Sequence, residues 1–210
     1  MFKYVKTIKV VVFLFCLLPL GIMVYDGFQR NLTADPIDEL LHRTGIWSLR
    51  LLLLTLAMTP LKILTGQVGF IRFRRMLGLF TFFYATLHLI IYTWLDLGLA
   101  WGHLWEDIVK RPYITVGMLA WLLMLPMAVT SNRYMIRKMG KKWKRLHQTI
   151  YLVIGLACLH FIWLVKSDIT EPLIYLLIGL ILLLIRIIHH YYGQHTVNQR
   201  KFKKGSNHTA

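Results

Sequence analysis

The stretch KMGKKWKRLHQTIYLVIGLACLHFIWLVK, residues 138–166, carries the decisive pattern. A crowded basic segment gives way at Leu146 to a run without a single Asp, Glu, Lys or Arg, which lasts to Val165. Folded as a helix at about 1.5 Å per residue, a run of that length covers roughly 30 Å, the thickness of a bilayer's hydrocarbon core. Backbone N–H and C=O groups in lipid must be satisfied within their own segment, so the run reads as a transmembrane helix and not as open sheet.

Working outward from it, five more apolar runs appear: Ile8 to Tyr25, Ile46 to Leu64, Met76 to Leu97, Tyr113 to Thr130 and Pro172 to Ile188. They explain how a chain of 210 residues can be 57% hydrophobic and still carry a formal charge of +16. A soluble domain of this size hardly ever combines the two. Nucleic acid is excluded as the partner of that charge, because apolar runs of this length cannot lie in water beside it. The fold class is an all-α integral membrane protein with six transmembrane helices.

The charge instead marks topology. With the N-terminus cytoplasmic, 19 of the 25 Lys and Arg residues fall on inner segments, and all nine acidic residues fall at the outer ends. The positive-inside rule fits in that orientation only, so both termini are expected in the cytoplasm, with the first, third and fifth helices running outward. Pro112 and Pro172 stand where helices begin, and Gly66, Gly69 and Gly140 mark connections. The expected division is an N-terminal helix and loop start over 1–30, a transmembrane domain over 31–190 and a basic cytoplasmic tail over 191–210. The basic loop from Arg133 to Arg145 suits anionic lipid headgroups, although topology already accounts for it.

Cys16 and Cys158 each lie inside an apolar run, and no C-x-x-C-H stands anywhere, which excludes covalent c-type heme and a zinc ribbon. There is no G-x-G-x-x-G or Walker loop, so the chain has no nucleotide-binding domain of its own. Chemistry must then come from ionisable groups within the membrane, which are costly to insert and by default functional. Of nine histidines, His42, His103, His189, His190, His195 and His208 have an easy solvated explanation in loops or tail. His88, His147 and His160 remain.

His88 follows Arg75 by 13 residues and His160 follows Arg145 by 15, which places both roughly 20 Å above the inner interface. Two imidazoles at matched depth on parallel helices can ligate one iron from opposite faces, the need of a non-covalent b-type heme. A lone buried histidine that bonds a carbonyl or relays protons is the bland alternative. Phe83, Tyr84, Trp94, Phe161 and Trp163 would suit a porphyrin and are equally ordinary packing or interface anchors. His147 lies near the cytoplasmic surface, about 140° off the face of His160 on an ideal helix, so a shared face would need local distortion. Arg74, fourteen residues before His88 and on nearly the same face, cannot act as a normal strong axial ligand, but it can hold a heme propionate or a flavin phosphate.

The segments RRMLGL (74–79), TLHLIIY (86–92), RPYITVGMLAW (111–121), KMGKKWKRLHQTIYLV (138–153), LHFIWLVK (159–166) and EPLIY (171–175) resemble the MsrQ (YedZ) family. That family comprises the heme-binding membrane subunits of bacterial periplasmic protein-methionine-sulfoxide reductase systems. The likeness runs from about Asp35 to Arg186. It implies a ferric-reductase-like transmembrane domain in the bacterial inner membrane, non-catalytic itself, which passes electrons outward to a periplasmic molybdopterin subunit that reduces methionine sulfoxide. It also implies FMN, the quinone pool or a cytoplasmic flavin reductase as donor, and heme-linked roles for His88, His147 and His160. Where the wider group has a second histidine on the third helix this chain has Arg74, so one heme with an inner flavin and one heme with a weakly held second at His147 both stay open. Two other functions fit the sequence: a stand-alone ferric or cupric metalloreductase, and a histidine-gated proton or metal transporter without heme.

Overall fold

The computed structural model describes residues 5–165 and 168–206. Lys3, Lys166 and His208 lie outside the described residues, as do the side chains of His103, His190, His195 and the Arg200–Lys204 tail. The described chain is helical throughout: α1 Val5–Gln29, α2 Pro36–Thr65, α3 Ile71–Ile90, α4 Trp101–Lys110, α5 Pro112–Val129, α6 Arg133–Met139, α7 Lys141–Gln148, α8 Ile150–Leu164 and α9 Thr170–Ser206. Six segments are long and apolar enough to cross a membrane: Val5–Gln29, Pro36–Thr65, Val68–Asp96, Pro112–Val129, Lys141–Leu164 and Thr170–His189. Each of the six expected runs falls within one of these segments or extends a single residue beyond its end.

The boundaries differ where polar residues share a helix with apolar ones. α2 starts at Pro36, well before Ile46, because Asp35 caps it by accepting the Asp38 N–H at 3.1 Å and proline suits the first turn. Its opening turns carry Asp38, Glu39, His42 and Arg43, which hide a helix from any search for apolar residues. Arg43 pairs with Asp26 of α1 at 2.6 Å and with Glu39 at 2.5 Å, so these charges join two spans instead of lying in a loop. His42 is thus helical, with its ring 6.2 Å from that of Phe161.

The connection after the third span contains a helix of its own. Beyond His88 the chain loosens into a π turn over Ile91–Asp96, in which the Leu97 N–H reaches back to the Tyr92 carbonyl at 2.9 Å. α4 follows, with Trp105 and Val109 exposed and with ion pairs Glu106–Lys110 and Asp107–Arg111 at 3.0 and 3.1 Å. One apolar and one charged side is the pattern of a helix lying along the membrane surface. The Tyr92 hydroxyl donates to Asp107 at 2.7 Å and pins α4 to the π turn. At the other end of the chain α9 continues past Ile188 to Ser206, so the basic tail extends the last helix.

α2 is the axis of the bundle. One buried cluster joins Leu52 and Leu56 to Val153, Ile154, Cys158 and Phe161 of α8, and another joins Leu51 and Met58 to Leu77, Phe80 and Tyr84 of α3 and Cys16 of α1. Elsewhere large apolar side chains such as Phe15, at 67% exposure, face outward, as lipid allows and water does not.

The proline inside α2 is compensated by a specific side chain. Pro60 has no N–H to give the Leu56 carbonyl, and Arg186 of α9 donates to that carbonyl instead. Beside Pro19, the buried Tyr84 hydroxyl donates to the Cys16 carbonyl at 2.7 Å and accepts the Leu20 N–H at 3.2 Å. It thereby takes the place of one backbone bond in α1 and ties that helix to α3.

Candidate functional site

α3 and α8 bring His88 and His160 together, with ring centroids 6.2 Å apart and planes at 85°. Two residues counted to similar depth on separate helices thus stand ring to ring. His88 Nδ1 lies 2.9 Å from the Leu41 carbonyl oxygen on α2, and His160 Nδ1 lies 2.7 Å from the Tyr113 carbonyl oxygen on α5. A carbonyl can only accept, so in both rings Nδ1 carries the hydrogen and Nε2 keeps its lone pair. Metal-bound histidines show this habit: one ring nitrogen donates to a backbone oxygen, which fixes the tautomer and the ring direction.

The separation also fits. Two imidazoles on opposite sides of one metal, with bonds of about 2.0 Å and ring centres roughly 1.1 Å behind their nitrogens, have centroids about 6 Å apart. Among the described residues no group of three or more His, Cys, Asp or Glu is arranged to hold a metal ion. Two histidines alone make a poor cage for a bare ion; they suit a metal whose other ligands arrive with it, as in a porphyrin.

Polar contacts between the spans hold the pair in register. The Trp121 indole N–H donates to Thr86 at 3.0 Å, Ser48 donates to the Thr81 carbonyl at 3.1 Å, and Thr44 touches His88 Nδ1 at 3.4 Å. The Trp121 ring stacks on Phe82 at 5.8 Å. Of the aromatics singled out from sequence, Trp94 and Trp163 are 62% and 49% exposed, Tyr84 bonds α1, and Phe161 packs against His42 and Tyr175.

The family described as "Ferric reductase like transmembrane component" matches residues 44–158, which include His88 and His147 and stop just short of His160. A protein of Xanthomonas campestris pv. campestris strain B100, named "Protein-methionine-sulfoxide reductase heme-binding subunit MsrQ", is 57% identical over 159 residues, covering 74% of this chain and 73% of its own. One of Xanthomonas axonopodis pv. citri strain 306, with the same name, is 57% identical over 152 residues, covering 72% and 70%. The chain belongs to the MsrQ family.

In this MsrQ-family chain His147 stands apart from the pair. It belongs to α7, and the chain turns at Thr149 before α8, the helix of His160, begins. The ring stacks on Trp143 with centroids 4.0 Å apart, and its Nε2 lies 3.2 Å from the Thr130 hydroxyl. That hydroxyl gives its hydrogen to the Pro126 carbonyl at 2.7 Å, so His147 Nε2 is the donor to it. His147 thus presents its nitrogens the opposite way round from His88 and His160. Arg74 is part-buried on α3 and makes no hydrogen bond among the described residues.

Sequence reading missed the residues that hold the rings. Leu41 and Tyr113 contribute only backbone oxygens, and Thr44 only a hydroxyl close to Nδ1. No side-chain type announces a carbonyl partner.

Proposed function

We propose that this chain is the membrane electron-transfer subunit of a protein-methionine-sulfoxide reductase, with one b-type heme held between His88 and His160. The observation that carries the reading is the pair itself: two imidazoles 6.2 Å apart, each with Nδ1 committed to a main-chain carbonyl and Nε2 left over. Bound heme supplies one-electron chemistry that needs no proton at the metal. His88 and His160 would hold it, and their carbonyl partners keep each ring from rotating. The Leu56, Val153 and Cys158 packing keeps water out of the bundle.

The charge pattern supports an orientation for the flow of electrons. Basic segments lie on the cytoplasmic side of a bacterial inner membrane, and the acid-rich end faces the periplasm. Electrons enter on the cytoplasmic side from the quinone pool or a flavin reductase and leave from the acid-rich end to a periplasmic molybdopterin subunit, which performs the catalysis. The guanidinium of Arg74 receives the phosphate of FMN or a propionate, and His147 belongs to that inner region, as a flavin neighbour or as the ligand of a second, weakly held heme. The heme-binding domain spans 31–190, behind the helix of 1–30 and ahead of the basic 191–210 segment.

The test is a reconstitution in liposomes. Quinol or reduced flavin should reduce the heme, and adding the periplasmic catalytic subunit with methionine sulfoxide should reoxidise it. Reduction of ferric chelates at an equal rate without that subunit would favour a stand-alone metalloreductase. A colourless protein would favour a proton or metal carrier.

A further inference from the structure

Each of the two paired histidines lies against a glycine of a neighbouring helix. A Cβ on Gly117 of α5 would stand 2.7 Å from His160 Nδ1 and 2.9 Å from Cε1, closer than real Cβ atoms come to anything. A Cβ on Gly45 of α2 would stand 3.3 Å from His88 Nδ1 and 3.4 Å from Cε1, a tight fit. The other span glycines differ: Gly21 and Gly155 meet nothing within 4 Å, while Gly78 meets Thr55 at 3.7 Å.

The glycines and the carbonyls belong to one device, present twice. His88 bonds the carbonyl of Leu41, one helical turn before Gly45, and His160 bonds the carbonyl of Tyr113, one turn before Gly117. The segments LHRTG (41–45) and YITVG (113–117) thus place the acceptor and the gap at the same spacing. Both lie near the N-terminal end of their helix, and both face a histidine on the helix that packs most extensively against it, α3 on α2 and α8 on α5. A side chain at Gly117 would push the His160 imidazole off the backbone and away from its carbonyl, and one at Gly45 would make the His88 ring give by a few tenths of an ångström.

We infer that Gly45 and Gly117 are positioning residues for the axial histidines: each opens a notch in which the ring lies against the helix, so that Nδ1 reaches the carbonyl one turn earlier. The inference rests on the heme reading above. The notch sets the tautomer, the ring plane and the strength of the ligand together, because a histidine that donates from its far nitrogen is the more basic ligand. Gly117 is the stricter of the two, since its gap leaves no room even for a methyl group.

The test compares full-length wild type, Gly117→Ala, Gly45→Ala and a control, Gly155→Ala, as heme-loaded proteins in detergent. Ferric EPR reads ligand orientation, a redox titration reads ligand strength, and transfer of heme to apomyoglobin reads retention. Gly117→Ala should alter the low-spin g values, raise the midpoint potential and weaken heme binding about 10–100-fold, the usual effect of losing such a partner. Gly45→Ala should change all three in the same sense by less, and Gly155→Ala should match wild type. Should Gly117→Ala not fold, Gly45→Ala decides against the same control. A heme-loaded wild type with alanine variants indistinguishable from Gly155→Ala overturns the positioning role alone. A wild type without heme overturns the heme reading, and this inference with it.

Discussion

Arg186 of α9 donates to the carbonyl of Leu56 on α2, the carbonyl that Pro60 leaves without its helical donor. The same guanidinium reaches the Tyr151 hydroxyl of α8 at 3.0 Å. One cation within the membrane therefore repairs a helix and links three spans.

Removing Arg186 should expose that dependence. Arg186→Leu strands a buried carbonyl, at a cost of about 1–3 kcal/mol. Pro60→Ala restores an N–H to the Leu56 carbonyl, so in the Pro60→Ala background the same substitution should cost less. Thermal melting of the four proteins of this cycle, in one detergent, measures the coupling. Equal costs in both backgrounds would show that the carbonyl is not what Arg186 serves.

Tyr84 offers a milder case. Its hydroxyl stands between the Leu20 N–H and the Cys16 carbonyl, and the two backbone groups can bond each other if it is gone. Tyr84→Phe should lower stability by only about 1 kcal/mol. The loosened element should be α1, read as faster hydrogen exchange around Leu20 with the rest of the bundle unchanged.

Acid sensitivity should appear at the start of α9. The Thr170 hydroxyl and then its backbone N–H, at 2.9 Å from Oδ1, hold the Asp168 carboxyl below its ordinary range. A carboxyl lowered in the folded state adds stability that is present above its ordinary pKa and is lost as pH falls through the lowered value. Asp168→Ala should therefore melt slightly earlier than wild type at neutral pH, and the gap should close in strong acid. A gap that persists there would assign the effect to packing.

The nearness of His88 and His160 was legible because depth in a membrane is countable: residues from Arg75 to His88 and from Arg145 to His160 give nearly the same height on two helices that run the same way. The start of α2, the surface helix α4 and the helical extension to Ser206 were not, since their charged residues mask helical structure from a reading built on apolar length. Trp94 and Trp163 are exposed, which agrees with the interface-anchor reading of them better than with the porphyrin one, and composition cannot say which side of a uniformly apolar helix is inside. The carbonyls of Leu41 and Tyr113 were beyond reach for a simpler reason: every residue has one.

The central claim is that His88 and His160 together hold a heme, and an optical spectrum tests it most directly. The detergent-purified chain should show a Soret band and, after dithionite, sharp α and β bands. His88→Ala and His160→Ala should each abolish them, and His147→Ala should leave this heme in place. A wild type that stays colourless after heme supplementation, or a spectrum that survives loss of either His88 or His160, would contradict the account.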